Sequence, residues 1–348
     1  MARSISIDSY LSSASPIPLI DVRTPAEFEQ GHVPGAYNIP LFTNEERVLV
    51  GTTYKQVGRE QAILQGFDLT GSKWSGFIRQ ALEISPDKKV AVHCWRGGMR
   101  SGAMAWALGL YGFEVDLIQG GYKRYRNWVL QQFARPWNLL VLGGMTGSGK
   151  TQILETLRSE EQVIDLEELA QHQGSAFGTM NKLVQPTQEQ FENNFAGQLA
   201  GFDPNKRIWV EDESVTIGRR VIPHPFWQQM RAAPSLCVRV PLDLRIQRLV
   251  ADYGVLDKDF LADCTTRITK RLGPEQTRDA VQAIKDDQMA EFIRLLLVYY
   301  DKRYQKGLQQ RSSEQLYFLD LPDADPEIRA NKVKAFADAM VSAATTKI

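Results

Sequence analysis

Short apolar runs recur along the chain, each closed by glycine, proline or charge and each followed by a stretch with helical spacing. "PLIDVR" (18 to 23) and "KKVAVHC" (88 to 94) read as buried parallel strands, because both of their faces are apolar. "SGAMAWALGLYGF" reads as a helix with its apolar residues on one side and a glycine stop. "EVDLIQGG" follows as a third strand and turn. After "QQFARPW" the pattern restarts with "NLLVLGG", a glycine-rich loop and the helix "KTQILETLRS". Further strands are expected at "QVIDL" (162 to 166), "RIWVE" (207 to 211), "LCVRVP" (236 to 241) and "LYFL" (317 to 320). Long helical stretches separate them, notably 275 to 310. Alternating strand and helix predicts an α/β fold with a parallel sheet in each half. The expected division is a first domain over 1–134 and a second, with helical additions, over 135–348, the junction lying at Ala134 to Trp137.

Composition adds little to that picture but excludes several classes. A chain of 348 residues with 43% hydrophobic and 24% charged content suits two globular domains, each with its own core. Lys plus Arg (41) equals Asp plus Glu (41), so a nucleic-acid partner would need a local basic face. The three cysteines, Cys94, Cys237 and Cys264, form no CxxC pair, which removes zinc-knuckle and redox-dithiol readings and points to a reducing, cytoplasmic setting. The start "MARSISIDSYLSS" has no apolar core of a secretory signal, and "LLLVYY" is far too short to span a bilayer.

The stretch "AVHCWRGGMRSGAMAWALGLYG" (91 to 112) places Cys94 at a strand's carboxyl end, in front of a helix amino terminus. Loop amides from Trp95 to Ser101 can point inward, and the helix dipole adds positive potential. Both favour thiolate, as do Arg96 and Arg100 if they turn in. Such a thiolate can attack an electrophilic sulfur, selenium or phosphorus centre and then hold the anionic product. The competing reading is a small buried core residue, which leaves the two flanking arginines unexplained. His93 is expected on the strand's opposite face as a structural residue, and none of His32, His172 or His224 stands out as a general base.

"GMTGSGKT" (144 to 151) matches the P-loop pattern G-x-x-x-x-G-K-[ST] between a strand and a helix, the context the motif requires. Gly144, Thr146, Gly147, Ser148 and Gly149 would fold backbone around phosphate oxygens, Lys150 would bridge them, and the Thr151 hydroxyl would ligate Mg²⁺. "IWVEDES" (208 to 214) resembles a Walker B strand, putting Glu211 or Asp212 near that metal, against the alternative of two solvated acids. Arg245 and Arg248 follow a strand, as phosphate-contacting arginines do in many P-loop kinases, or lie on a solvated helix face. A P-loop accepts any di- or triphosphate, so the motif alone does not imply ATP.

"DVRTPAEFEQGHVPGAYNIP" (21 to 40) followed by "HCWRGGMRS" resembles a rhodanese domain, whose persulfide-forming cysteine falls on Cys94. Five residues separate Cys94 from Arg100, where common sulfurtransferases have four. In that family the longer loop accompanies bulkier anions, which keeps a phosphatase reading open and also suits a selenium donor. Fused in this order to a P-loop domain about fifty residues further on, the arrangement closely resembles the tRNA 2-selenouridine synthase family over essentially the whole chain.

That resemblance implies a two-step transferase acting on wobble 2-thiouridine in tRNA. Geranyl diphosphate first alkylates the sulfur, and selenophosphate then supplies selenium while geranyl thiol departs. The P-loop with Mg²⁺ would stabilise the departing diphosphate. Cys94, with Arg96 and Arg100 offsetting phosphate charge, would carry selenium as a perselenide, or its loop would bind selenophosphate. For tRNA, "GYKRYRNW" (121 to 128) interleaves Lys123, Arg124 and Arg126 with Tyr122, Tyr125 and Trp128, for phosphate contact and base stacking or, alternatively, for the domain core. Arg219 and Arg220, then Arg267, Lys270 and Arg271, are further candidates. The rival readings are a P-loop kinase or ATPase with a regulatory rhodanese domain, and a non-catalytic binding module.

Overall fold

The computed structural model describes residues 2–13, 15–172 and 184–345. The chain forms two compact units, Met1–Gln132 together with Thr187–Ala200, and Phe133–Pro186 together with Gly201–Ile348. The sequence-based division assigned everything after Ala134 to the second domain, so the placement of Thr187–Ala200 in the first unit is a correction.

The first unit is built on strands β1 (Arg3–Ile5), β2 (Leu19–Asp21), β3 (Tyr37–Asn38), β4 (Lys89–His93) and β5 (Glu114–Ile118). They pair in the order β1-β5-β4-β2-β3, all parallel, with Ala91 opposite both Leu19 and Asp116. Leu19, Ile20, Val90, Ala91 and Val92 are buried because helices cover both faces, as a parallel sheet requires. Ile20, Val92, Met104, Leu108 and Val115 form the centre of one core. The two edge strands β1 and β3 carry no apolar run, and their pairing with β5 and β2 defines them as strands.

At the carboxyl end of β2, Arg23 is 1% exposed. It forks onto Asp21 at 2.6 and 2.9 Å, donates to the Gly31 carbonyl at 2.7 Å, and stacks 3.6 Å over the Tyr122 ring. A buried cation is tolerated only when paired in this way.

Helix Gln188–Ala200 completes this unit by burying Phe191, Phe195, Ala196 and Leu199. Asn193, with 0% exposure, donates to the Tyr122 hydroxyl at 2.8 Å and to the His32 carbonyl at 2.9 Å, and accepts from Arg126 at 2.6 Å. The spacing of Phe191, Phe195 and Leu199 specifies an amphipathic helix but not which core receives it.

The second unit contains β6 (Leu139–Gly144), β7 (Gln162–Ile164), β8 (Ile208–Glu211), an antiparallel hairpin β9 (Thr216–Ile217) and β10 (Arg220–Val221), then β11 (Ser235–Arg239) and β12 (Leu316–Asp320). Its main sheet runs β12-β11-β6-β8-β7, all parallel. The chain leaves the central strand β6, buried along its length, directly into the P-loop, so the loop opens at the carboxyl ends of the strands, where open α/β sheets bind ligands. Helices Leu242–Tyr253, Lys258–Arg267, Pro274–Lys285 and Met289–Leu308 share a further core around Leu261, Ile284, Phe292 and Leu296. Among the described residues no helix is long and apolar enough to cross a membrane.

Candidate active sites

Cys94 follows β4 directly, in a loop that runs into helix Met99–Leu110. Its side chain is buried, and its sulfur accepts from the Gly98 amide and the Ser101 hydroxyl, each at 3.3 Å. Burial pushes the Cys94 thiol up, but the Ser101 hydroxyl and the amides of Ser101, Arg96 and Gly98 outweigh it and hold the thiol below its ordinary value. The loop keeps this shape because Tyr122 and Lys123 donate their amides to the Cys94 and Trp95 carbonyls at 2.9 Å. Gly121, at φ +57°, is required for that approach, since a Cβ there would lie 2.2 Å from the Cys94 carbonyl oxygen.

The two loop arginines differ. Arg96 is exposed, whereas Arg100 pairs with Glu27 at 2.7 and 3.3 Å. Glu27 also accepts from the Thr24 amide at 3.0 Å in a capping box that starts helix Pro25–Gln30. Burial raises the Glu27 carboxyl, but Arg100 and the Thr24 amide hold it below the usual range. Ser101 and Glu27 were both missed in the sequence as site residues. The capping pattern Thr24-x-x-Glu27 was the available signal for Glu27. His93 is buried, 3.7 Å from Asp21, and burial keeps its pKa below the ordinary value against the pull of Asp21.

In the second unit the P-loop runs from β6 into helix Lys150–Leu157. Gly149 adopts φ +84°, and a Cβ on it would meet guanidinium nitrogens of Arg248 and Arg329, each at 3.1 Å. Ser148 is 1% exposed and its hydroxyl has no protein partner among the described residues, so it is an orphaned donor at the centre of the loop. Lys150 donates to the Gly144 carbonyl at 3.0 Å and lies 3.3 Å from Glu211, which is also 3.4 Å from the Thr151 hydroxyl. Burial works against the Lys150 charge, but Glu211 and Glu213 raise its pKa above the ordinary value. Glu213, half-buried, is pushed well above the usual carboxylate range by desolvation and by the charges of Glu211 and Glu167.

The metal reading divides between its two acids. Glu211 meets Thr151 and Lys150, whereas Asp212 is taken by Arg311 at 2.6 Å, a guanidinium that also donates to the Met230 carbonyl at 3.1 Å. Half-buried Asp212 thus faces the Arg311 guanidinium through one carboxylate oxygen, and Glu211 is the acid beside the P-loop hydroxyl. Arg245, 3% exposed, donates to the Thr146 carbonyl at 2.8 Å and pairs with Asp301, so it buttresses the loop from beneath. Arg329, also buried, donates to the Ser148 carbonyl at 3.4 Å and went unrecognised in the sequence because it lies 181 residues away.

Among the candidate RNA contacts, Lys123 and Arg124 are exposed, with Asp8 3.8 Å from Arg124. Arg126 is half-buried and engaged by Glu192, the Glu189 carbonyl and Asn193. Tyr122 and Tyr125 are buried core residues, so their rings offer no stacking platform. Arg219 and Arg220 sit at the turn and second strand of the β9–β10 hairpin, where Arg219 is exposed and Arg220 half-buried.

A low-pKa cysteine loop on one parallel sheet and a complete P-loop on another define a rhodanese domain fused to a P-loop phosphate-binding domain. Comparison with known proteins agrees on both parts. The rhodanese-like domain profile matches residues 8–127, and the profile of the tRNA 2-selenouridine synthase AAA domain matches residues 137–323. The chain is 35% identical to the tRNA 2-selenouridine synthase of Shewanella loihica over 87% of this chain and 90% of that one. It is 42% identical to the same-named protein of Nitrosomonas eutropha over 68% of this chain, spanning 63% of that relative's length, and 41% identical to the one from Nitrosomonas europaea, also over 63% of its length. The chain belongs to the tRNA 2-selenouridine synthase family.

Proposed function

We propose that the protein converts wobble 2-thiouridine of tRNA to 2-selenouridine in the cytoplasm, by S-geranylation from geranyl diphosphate followed by selenium transfer from selenophosphate. The observation that carries this reading is the presence, in one chain, of a thiol tuned toward thiolate and a complete phosphate loop with an orphaned donor. The relatives' shared name supplies the tRNA and the selenium.

In the first step the soft thiocarbonyl sulfur forms a bond to the allylic C1 of geranyl diphosphate. The C1–O bond breaks, diphosphate leaves, and the base loses its N3 proton. Charge builds on the leaving oxygens, where Lys150, Arg248, Arg329 and the Ser148 hydroxyl stand ready to receive it. Thr151 and Glu211 are the groups that would hold Mg²⁺, and such an ion, when bound, would shield the diphosphate's charge. In the second step the selenium of selenophosphate adds at C2, water takes the phosphoryl group as the P–Se bond breaks and phosphate leaves, and the C2–S bond breaks with release of geranyl thiol. The Cys94 loop receives the selenium, because its inward amides and the Ser101 hydroxyl favour a soft anion there.

The test is mass spectrometry of nucleosides from 2-thiouridine tRNA incubated with the protein and Mg²⁺, adding geranyl diphosphate first and selenophosphate second. The expected result is a geranyl mass followed by its replacement with selenium. Unchanged tRNA together with consumption of added ATP would overturn the proposal in favour of a kinase or ATPase.

A further inference from the structure

An apolar groove of about 700 Å³ opens beside the cysteine loop, a volume in the range of small-molecule sites. Helices Asn44–Gln56 and Arg59–Thr70 form one side, and helix Met99–Leu110 forms the other. Arg96 and Arg100 belong both to the Cys94 loop region and to the groove lining, so the two features are continuous.

The walls are unusual for a core. Helix Asn44–Gln56 buries none of its residues, and Arg59–Thr70 buries only Ala62 and Thr70. Tyr54, Phe67 and Met99 are 51%, 56% and 54% exposed, and all three line the groove. A contiguous apolar surface left open to water marks a binding face. The wall is nevertheless firmly built, because Thr43 and Glu46 form a capping box and Lys73 pairs with Glu46. At the groove's edge stand Arg47, Lys55 and Arg96, together with Arg100, which shares its charge with Glu27. An occupant that fits both features joins a hydrocarbon chain to an anionic body.

We propose that this groove holds the geranyl chain of the S-geranylated uridine, with RNA phosphates against the basic edge, while selenium is installed at the Cys94 loop. The identity of the chain rests on the function proposed above, whereas the apolar, anion-linked class rests on the groove itself. The geranylated base is favoured over geranyl diphosphate because the diphosphate has its own loop in the second unit. The groove instead shares residues with the loop where the chain is displaced.

The test uses the full-length protein and labelled anticodon stem-loop RNAs carrying either S-geranyl- or S-methyl-2-thiouridine, with affinity read by fluorescence anisotropy. The wild type is expected to prefer the geranyl RNA by at least about tenfold, since nine further carbons leave water. Phe67→Gln and Tyr54→Gln, both at exposed positions, are each expected to cut that preference several-fold at unchanged melting temperature and unchanged affinity for the S-methyl RNA. A preference that survives in both variants overturns the assignment. So does a loss confined to geranyl diphosphate binding, which would make the donor the occupant, or a wild-type dimer that Phe67→Gln dissociates, which would make a second copy the cover. Conversion of the geranyl RNA to selenouridine by the wild type is followed in parallel. If it proceeds while the preference survives both variants, only the groove assignment falls; if it does not proceed, the functional reading falls and the chain's identity with it.

Discussion

Ser101 donates its hydroxyl to the Cys94 sulfur at 3.3 Å, from the first turn of the helix that the cysteine loop leads into. It is the largest single influence favouring thiolate, set against the burial that opposes it. Ser101→Ala is therefore expected to move the Cys94 pKa upward and to slow its alkylation at neutral pH roughly tenfold, the worth of one hydrogen bond to a charged group. The pH dependence of iodoacetamide labelling checks this, with Cys94→Ser as the blank. Cys94→Ser is also expected to abolish selenation while leaving geranylation in place.

Glu27 gives a stability prediction with a definite sign. Its folded pKa is depressed, so the stability it contributes is complete above the unfolded carboxyl value near 4.5 and disappears as pH falls through the lower folded value. Glu27→Gln is expected to cost about 1 kcal/mol at neutral pH through the lost Arg100 pair and weakened cap. Urea unfolding at a series of pH values should show the variant and wild type converging on the acidic side.

The two acids after β8 are expected to separate by assay. Glu211→Gln should leave the fold intact and raise the Mg²⁺ concentration needed for geranyl transfer. Asp212→Asn breaks the pair with Arg311, a group with 1% side-chain exposure, and should cost about 3–5 kcal/mol, the range for a buried charge left alone. Thermal denaturation and a Mg²⁺ titration together distinguish the two effects.

Lys150→Met is expected to lower geranyl transfer by about a hundredfold or more, the scale for removing one donor from developing oxyanion charge. Selenation of RNA supplied already geranylated should persist, because the Cys94 loop contains no P-loop residue. Equal loss of both steps would count against the assignment of the diphosphate to this loop.

Asn193 ties helix Gln188–Ala200 to Tyr122, His32 and Arg126. Asn193→Ala is expected to destabilise the first unit by about 1–3 kcal/mol through unsatisfied buried groups. A fragment covering residues 1–134 lacks the helix and should bind a hydrophobic dye, and a peptide spanning 187–200 should suppress that binding.

Legibility in the sequence followed the range of the interactions. The central strands β4 and β6 were plain because buried parallel strands are written as continuous apolar runs such as "VAV" and "LLVL". The P-loop was plain because its glycines, Lys150 and Thr151 act within eight consecutive residues. Arg311 on Asp212 and Arg329 on Ser148 are 99 and 181 residues from their partners, and no local pattern announces them. Tyr122 and Arg126 read as an RNA surface because alternating cations and aromatics look alike whether solvated or covered. The helix that covers them is written more than sixty residues later.

That delay bears on how the protein comes into being at the ribosome. By the time residue 134 is polymerised, the cysteine loop and all five strands of the first sheet exist, but Tyr122, Arg126 and the His32 carbonyl still lack their partners. The nascent sheet must wait, with an apolar flank open, while β6, the P-loop and β7 are translated. Only then does Gln188–Ala200 emerge to seal it. The thiol-bearing half thus matures after the phosphate loop has been made, and a gene cut between the halves would release a partner unable to finish folding alone.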